Sequence, residues 1–152
     1  MTDILKDMLY INGKDIWTEF GAWLAEDKEG ETKNYSELQK IPATKSHVAV
    51  NFRERDGEKL PDKLFRKWEA RDISLKFAIA ADNAADYWSK RNAFVSFLKN
   101  GADGWLTMEV PELGSTYRVY YKECSDYEHL VDIGGKLAAR FTVKLREPEP
   151  QL

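Results

Sequence analysis

Apolar and polar residues alternate along the stretch that begins at Arg71. This is the period of a strand with one buried face: Ile73, Leu75, Phe77 and Ile79 are set against Asp72, Ser74, Lys76 and Ala78. After Asp82 the apolar residues share one side of a helix: Ala84, Tyr87, Trp88, Phe94, Val95 and Leu98. Alternation returns from Leu106 to Val110 and stops at Pro111. The pattern predicts a strand, one long amphipathic helix and a second strand, so the helix should cover a sheet.

The predicted helix carries signals at both ends. Asp82 or Asn83 can cap its first turn, because short polar side chains accept hydrogen bonds from the free N–H groups there. A glycine, Gly101, stands where the helix should stop. Asp86 precedes Lys90 by four positions, which is the favourable order for a surface ion pair.

The N-terminal part of the chain predicts a β-hairpin. Met8 to Ile11 is a short apolar strand, and Asn12-Gly13 follows, two residues that tolerate the positive φ of a tight turn. Lys14 to Leu24 is predicted as the second strand. It carries three large aromatic residues, Trp17, Phe20 and Trp23. These residues are either buried anchors of an interface with another subunit or a cover for the edge of the domain's own core.

Two polar stretches follow the hairpin. Glu26 to Asn34 is almost entirely charged or polar and predicts a solvated loop, whereas Tyr35 to Ile41 is ambiguous. His47 to Phe52 alternates as a strand does. We expect it to form one leg of a long β-hairpin with its tip around Asp56-Gly57 and its other leg near Leu64 to Trp68.

Further strands are predicted towards the C-terminus. Tyr117, Val119 and Tyr121 lie on one face of a strand, and Ser125 to Gly135 is expected to be a loop or an irregular segment. The clearest strand follows, with apolar residues at every second position: Leu137, Ala139, Phe141, Val143 and Leu145. The predicted fold class is therefore mostly β. An antiparallel sheet should curl into a β-sandwich or split barrel, with one long amphipathic helix packed on it.

Length and composition indicate one domain. We expect it at residues 9–147, between an N-terminal tail at 1–8 and a C-terminal tail at 148–152. A net charge of −3 gives no general reason to expect nucleic acid or an anionic membrane as a partner. Cys124 is the single cysteine, so no disulfide forms within the chain. No apolar run approaches the roughly 20 residues of a membrane span, and the first residues lack the apolar core of a secretory signal.

The sequence carries no catalytic, cofactor-binding or metal-binding signature. His47 and His129 have no second ligand at metal-binding spacing, and Cys124 has no evident activating base. Gly134-Gly135 precedes a strand, whereas phosphate-binding loops open onto a helix. The many carboxylates leave a catalytic pair open, but none stands in an apolar setting that would raise its pKa. We therefore expect a protein that is not an enzyme and uses no cofactor.

Basic residues line one face of the last strand. Lys136, Arg140 and Lys144 alternate with its apolar residues, and Arg118 and Lys122 are expected nearby. Such a face is solvated, or binds a polyanion, or meets the acidic loop Glu26 to Glu31 of a neighbouring identical subunit. We list Lys136, Arg140 and Lys144 among the candidate oligomer-interface residues.

The order of these features resembles the distal tail protein family of long-tailed bacteriophages. The resemblance begins with the strand–turn–strand opening at residues 9–16 and continues through five further patterns of strand and helix, ending near 147: 71–77, 87–98, 105–110, 117–121 and 137–145. It implies a ring, usually a hexamer, that joins the tail tube to the baseplate or tip around a central channel for DNA. Many relatives carry a further C-terminal domain, and because this chain stops at Leu152, receptor binding by it is not expected.

The same resemblance implies partners and a location. The expected partners are identical subunits and the neighbouring tail-tube and tail-tip proteins, with no membrane and no sequence-specific DNA contact. The protein would lie in the virion tail after assembly in the host cytoplasm. A charged loop with Arg53, Glu54 and Arg55 could clasp a neighbouring subunit, or could be an unattached hairpin tip.

Three alternatives stay open. Tail-tube proteins of phages and of contractile injection systems resemble the pattern as well. A carbohydrate-binding β-sandwich would use exposed aromatic residues, and an enzyme would use scattered carboxylates.

Overall fold

The computed structural model confirms the predicted fold class. It describes residues 6–26, 32–46, 49–50, 53–54, 56–60, 62–64, 66–133 and 136–150. In that part of the chain seven strands form one antiparallel sheet, and a 17-residue helix packs on it. The strands are β1 (Tyr10–Ile11), β2 (Lys14–Asp15), β3 (Ala22–Leu24), β4 (Arg71–Ala81), β5 (Leu106–Val110), β6 (Ser115–Ile133) and β7 (Lys136–Glu147). The helices are α1 (Ile16–Phe20), α2 (Lys33–Leu38) and α3 (Ala84–Asn100).

The sheet curls because β6 changes its partner along its length. The strand order is β2-β1-β5-β6-β7-β4-β3. The first five residues of β6, up to Val119, pair with β5, whereas the rest, from Tyr120, pairs with β7 on the other side. One long strand therefore belongs to both halves of a curled half-barrel, and both halves bury their apolar faces in one common core.

The predicted strand, helix and strand are all present. β4 pairs with β7 over its whole length, from Arg71 opposite Glu147 to Ala81 opposite Leu137. Asn83 caps α3 by accepting a hydrogen bond from the Asp86 N–H at 2.8 Å. The helix ends at Gly101, where a Cβ atom would lie 2.4 Å from the Trp105 carbonyl oxygen. Lys90 pairs with Asp86 at 3.3 Å, as predicted.

The buried face of α3 is narrower than the sequence pattern indicated. Tyr87, Phe94 and Leu98 are buried, whereas Val95 is half-buried and Ala84 and Trp88 are exposed. The prediction that Trp88 belongs to the core-facing side is wrong, because neighbouring helix positions differ by 100° and the sheet covers only one stripe.

The predicted second strand, Lys14 to Leu24, is broken by a helix. The hairpin turn at Asn12-Gly13 is confirmed, with φ of 52° and 80°. However, Asp15 then accepts a hydrogen bond from the Trp17 N–H and caps α1, and Gly21 ends that helix in the left-handed conformation with φ of 65°. A capping aspartate and a glycine six residues later are the sequence signal that this prediction overlooked.

Helix α2 occupies the end of the predicted solvated loop and the ambiguous segment after it. Asn34 is buried and hydrogen-bonds to the exposed edge of β4: its Oδ1 accepts from the Lys76 N–H at 2.8 Å, and its Nδ2 donates to the Lys76 carbonyl at 3.1 Å. Glu37 accepts from the Ser74 N–H at 3.3 Å. The helix thus covers the edge of β4 beyond the point where β3 stops pairing.

The predicted loop from Ser125 to Gly135 is also wrong as far as Ile133. These residues continue β6 and pair with β7, although the register shifts twice within them, between Ser125 and Glu128 and between Leu130 and Ile133. Such irregularities, of which a β-bulge is the usual form, interrupt the period of two in the sequence. Gly134 and Gly135 lie outside the described residues.

Residues 41–70, which we call the arm, connect α2 to β4. The described part of the arm has isolated bridges between Thr44 and Trp68 and between Val50 and Lys59, and no regular strand. Of the predicted strand His47 to Phe52, residues 47–48 and 51–52 lie outside the described residues. The two bridges pair the segments on either side of Asp56-Gly57, as a hairpin does, with Lys59 opposite Val50 and Trp68 opposite Thr44. Among the described residues, no helix has the length and apolar character that crossing a membrane requires.

Candidate interaction surfaces

The three aromatic residues around α1 belong largely to the domain itself. Phe20 packs on the core side of α3, with ring centroids 5.4 Å from Phe94 and 5.1 Å from Phe97. Trp17 and Trp23 are half-buried and meet edge to face at 5.7 Å. Phe20 therefore covers the domain's own core, while the outer faces of Trp17 and Trp23 keep some accessible surface. Their role in an interface stays a prediction.

A groove of about 420 Å³ runs beside Trp17. Lys6, Glu19 and Lys90 line it, together with Thr18, Gly21 and Ala80. Lys90 is already engaged, because its Nζ pairs with Asp86 and also donates to the Ala80 carbonyl at 3.5 Å. Among the described residues that line the groove, Glu19 is the one carboxylate, so they include no pair of acidic groups for acid–base chemistry.

The arm carries the largest concentration of exposed apolar side chains among the described residues. Ile41 is 70% exposed, and Val50, Leu64 and Trp68 are between 40% and 47% exposed. Exposed apolar side chains concentrated on one segment are typical of a surface that binds another molecule. Arg53 and Glu54 lie exposed near the tip, as the prediction requires, whereas Arg55 lies outside the described residues.

Arg71 joins the two ends of the arm. It is the first residue after the arm, and its guanidinium donates to the Leu38 carbonyl at 3.1 Å and to the Lys40 carbonyl just before the arm. Its Nε donates to Glu147 at 2.6 Å, and the side chains of this ion pair are 11% and 6% exposed, so Glu147 is buried and Arg71 is mostly shielded from water. The ring of Tyr117 lies under the guanidinium at 5.5 Å. The base of the arm is therefore attached to the folded domain through several contacts.

The predicted basic face is mixed in sign. Arg140 pairs with Glu128 at 2.8 Å, and Lys144 pairs with Glu123 at 3.3 Å, since β6 places carboxylates opposite the cations of β7. Lys136 begins β7 opposite Ile133. Of the acidic loop Glu26 to Glu31, only Glu26 is described, and its carbonyl accepts from Arg140 at 3.4 Å. The interface role of these residues is untested.

Asp72 adds a further negative charge beside the same strand pair. Both Arg146 and Lys122 contact its carboxylate, at 3.0 and 3.3 Å. The hydrogen bond from Arg146, helped by Lys122, holds the pKa of Asp72 below its ordinary value. Because these carboxylates lie between the cations, the surface lacks the continuous positive charge that polyanions favour.

The described residues contain no group of three or more His, Cys, Asp or Glu side chains placed to hold a metal ion. Cys124 lies within β6 rather than at a strand end, and burial raises the pKa of its thiol. A raised pKa lowers the thiolate fraction, so the thiol is a poor nucleophile. His47 lies outside the described residues, and His129 is within β6.

Two features of these surfaces were not predicted from the sequence. Arg71 was read only as the start of a strand, and nothing local reveals that its partners are 31 and 76 residues away. Exposed Trp88 was assigned to the core. Adjacent residues on a helix are rotated by about 100°, so the indole of Trp88 points in a different direction from the phenol of Tyr87.

The fold and these surfaces define a β-rich, half-barrel domain whose arm exposes apolar side chains. The fold is similar to that of the Dit protein of bacteriophage SPP1, whose crystal structure is described as a paradigm of the hub adsorption apparatus in phages that infect Gram-positive bacteria. The TM-score is 0.61 at 13% sequence identity, over 94% of this chain and 50% of the phage protein. This chain thus spans half the length of that protein, and the likeness shows a shared fold. No protein-family model and no curated protein sequence matches the chain.

Proposed function

We propose that this protein is a structural component of a bacteriophage or prophage tail, where it forms a ring that joins the tail tube to the tip or baseplate. The observation that carries the proposal is the fold shared with the SPP1 Dit protein over 94% of the chain. The order of elements that resembles the distal tail protein family leads to the same role from the sequence. In this role the protein works by assembly, not by catalysis.

The arm supports an assembling role. Its exposed apolar side chains include Ile41 and Trp68, which lose contact with water only when another surface covers them. A cyclic assembly covers such a surface on every copy and leaves no free end, so growth stops at the closed ring. We propose a homo-oligomeric ring, hexameric by the resemblance, with DNA passing through its channel.

Charged residues complete the proposed interface. Arg53 and Glu54 on the arm and Lys136, Arg140 and Lys144 on β7 provide both signs of charge, which sets the register between subunits more than it adds affinity. Trp17 and Trp23 contribute apolar surface near β3. The neighbouring tail-tube and tail-tip proteins would dock above and below this ring.

The oligomeric state tests this proposal directly. We expect the wild-type protein to form a ring of defined mass by light scattering and native mass spectrometry, over a concentration series and with its neighbouring tail proteins added. Replacing residues 46–66 by a short Gly-Ser turn retains the bridge between Thr44 and Trp68 and should produce monomers. The Trp23→Glu variant, which places a charge in the proposed interface, should weaken the ring as well. Trp105→Glu, which changes another half-buried tryptophan, is the control and should not weaken it.

Circular dichroism decides whether each variant is folded before its mass is interpreted. A wild-type chain that stays monomeric at all concentrations, both alone and with the neighbouring tail proteins, would overturn the proposed ring. A ring that persists without the arm would remove the arm from the interface.

A further inference from the structure

A small aromatic surface on α3 and β6 stands apart from the arm. Trp88 and Tyr127 are 50% and 54% exposed, and the Arg91 guanidinium lies over both rings, 4.9 Å from the Trp88 centroid and 5.6 Å from the Tyr127 centroid. We call these three residues the Trp88 surface. Tryptophan, tyrosine and arginine are the residue types that most often dominate the binding energy of protein interfaces.

The fold holds this surface in place. Tyr127 lies where the pairing of β6 with β7 shifts register. Ser125 pairs with Thr142, and Glu128, three residues further on, pairs with Arg140, which is only two residues away from Thr142. A shift of this kind, as in a β-bulge, redirects the side chains around it. Its ring stacks on the buried Phe141 ring at 5.9 Å. Trp88 in turn meets the ring of buried Tyr87 at 5.5 Å. Two exposed rings that are each supported by a buried ring form a rigid platform, so binding there costs little side-chain entropy.

We propose that the Trp88 surface receives the arm of a second copy of this chain. The inference rests on the proposed ring and names the contact that closes it. In a cyclic ring each copy contacts one neighbour through one surface and the other neighbour through a second, different surface. The large exposed apolar residues of the described chain fall into two such groups.

The inventory of exposed side chains supports this pairing. Seven large apolar side chains are exposed among the described residues. Four belong to the arm: Ile41, Val50, Leu64 and Trp68. Of the other three, Trp88 and Tyr127 share the Trp88 surface, and Tyr120 lies elsewhere on β6. The arm and the Trp88 surface together thus hold six of these seven exposed side chains.

Charge supports it as well. Among the described residues, Arg91 contacts the two rings, and no carboxylate forms an ion pair with it. The arm tip carries exposed Glu54, Asp56 and Glu58, which alternate with basic residues. An arm laid across the Trp88 surface can place one of these carboxylates against Arg91 in a site partly shielded from water, where the attraction is stronger.

The reach of the arm fits a neighbouring copy. A leg of about 11 residues, from Thr44 to the tip, spans up to about 36 Å when extended. A compact domain of this length has a radius of gyration of about 15 Å. The length of this segment is therefore sufficient for it to reach a neighbouring domain.

Matched aromatic clusters allow a sharp test. The double variant Trp88→Ala/Tyr127→Ala should raise the concentration of half-assembly by more than about tenfold, because aromatic residues at the centre of an interface dominate its binding energy. The control is Trp105→Ala/Tyr120→Ala, since Arg118 lies 4.1 Å from the Trp105 ring and Trp105 meets Tyr120 at 6.1 Å. We expect the control variant to assemble as the wild type does.

Cross-linking between two copies identifies the occupant. In a Cys124→Ser background, one copy carries Lys63→Cys on the arm and the other carries Asn92→Cys, one helical turn after Trp88. A short bismaleimide should join unlike copies in the mixture, and should not join the arm variant to a copy with Lys122→Cys on β6. Both new cysteines replace exposed residues, so Trp88 and Leu64 stay intact.

The outcomes separate the two proposals. If the Trp88→Ala/Tyr127→Ala variant assembles like the wild type, the Trp88 surface is not an interface, although the ring stands. If that variant fails to assemble but positions 63 and 92 of different copies do not cross-link, the arm is not the occupant. If the wild-type chain forms no ring under any condition, both proposals fall together.

Discussion

In this protein single side chains form hydrogen bonds with backbone groups that would otherwise pair with a neighbouring strand or helix turn. Asn34 pairs with both backbone groups of Lys76 and also donates to the Ala25 carbonyl at 2.8 Å, as a further strand residue would. Arg71 does the same for two carbonyls at the end of α2. Buried backbone groups need such partners because leaving one unpaired costs about 1–3 kcal/mol.

Tyr35 provides a pH-dependent contact at this scale. Burial, and then its hydrogen bond to Glu112 at 2.7 Å, raise the pKa of Tyr35 from 10.0 to about 12. The folded protein therefore holds the phenol proton more tightly than the unfolded chain. The stability that this provides is complete below pH 10 and disappears as the pH rises to about 12.

We expect Tyr35→Phe to lose less stability than the wild type between pH 10 and 12. Urea unfolding at a series of alkaline pH values measures this directly. Equal losses in both proteins would show that the hydrogen bond to Glu112 does not link protonation of Tyr35 to folding.

At the scale of elements, helices cover the parts of the sheet that neighbouring strands leave exposed. β3 has three residues and pairs with only part of the outer edge of β4. Helix α2 covers the next part through Asn34 and Glu37, so the edge does not offer free backbone groups to other chains. On the sheet face, α3 covers the core through Tyr87, Phe94 and Leu98.

Replacing Asn34 should uncouple α2 from the sheet. We expect Asn34→Leu to lower the free energy of unfolding by about 3 kcal/mol, because the hydrogen bonds of Asn34 with the Lys76 backbone and the buried Ala25 carbonyl would be lost. Ser36→Leu, on the exposed side of the same helix, should change it by no more than about 0.5 kcal/mol. Hydrogen exchange at Lys76 should speed up in the first variant alone.

At the scale of the whole molecule, one buried ion pair connects the C-terminal strand to the arm. Arg71 and Glu147 end two paired strands and lie opposite each other in the register. Arg71 also donates to the Leu38 and Lys40 carbonyls just before the arm. The same residue therefore links β4 to β7 and holds the base of the arm in place. Folding of the domain and presentation of the arm are therefore coupled.

Breaking that pair should reduce both stability and order at the base of the arm. We expect Arg71→Met to lower the free energy of unfolding by about 3 kcal/mol, since Glu147 would remain buried without its partner. The double variant Arg71→Met/Glu147→Leu should lose less, because no unpaired charge remains.

Limited proteolysis measures the second effect. Cleavage within residues 41–70 should be faster in Arg71→Met than in Arg146→Met, which removes an exposed pair with Asp72. Equal cleavage rates in the two variants would show that Arg71 does not hold the arm.

Local patterns determined a large part of this protein. The strand, helix and strand from Arg71 to Val110, the turn at Asn12-Gly13 and the strand after Lys136 followed from periods and caps within a few residues. Even α1, which was read as a strand, carried its own signals in Asp15 and Gly21. Such features depend on neighbours in the sequence, so they can be predicted from it.

Only the tertiary structure decided the remaining features, because they depend on residues far apart in the chain. Ser125 to Ile133 is a strand because β7 pairs with it despite two shifts of register, and Trp88 is exposed because the sheet covers a narrow stripe of α3. The carboxylates of β6 neutralise a face that looked basic along β7 alone. Burial and pairing are set by the partner surface, and a single stretch of sequence does not contain that surface.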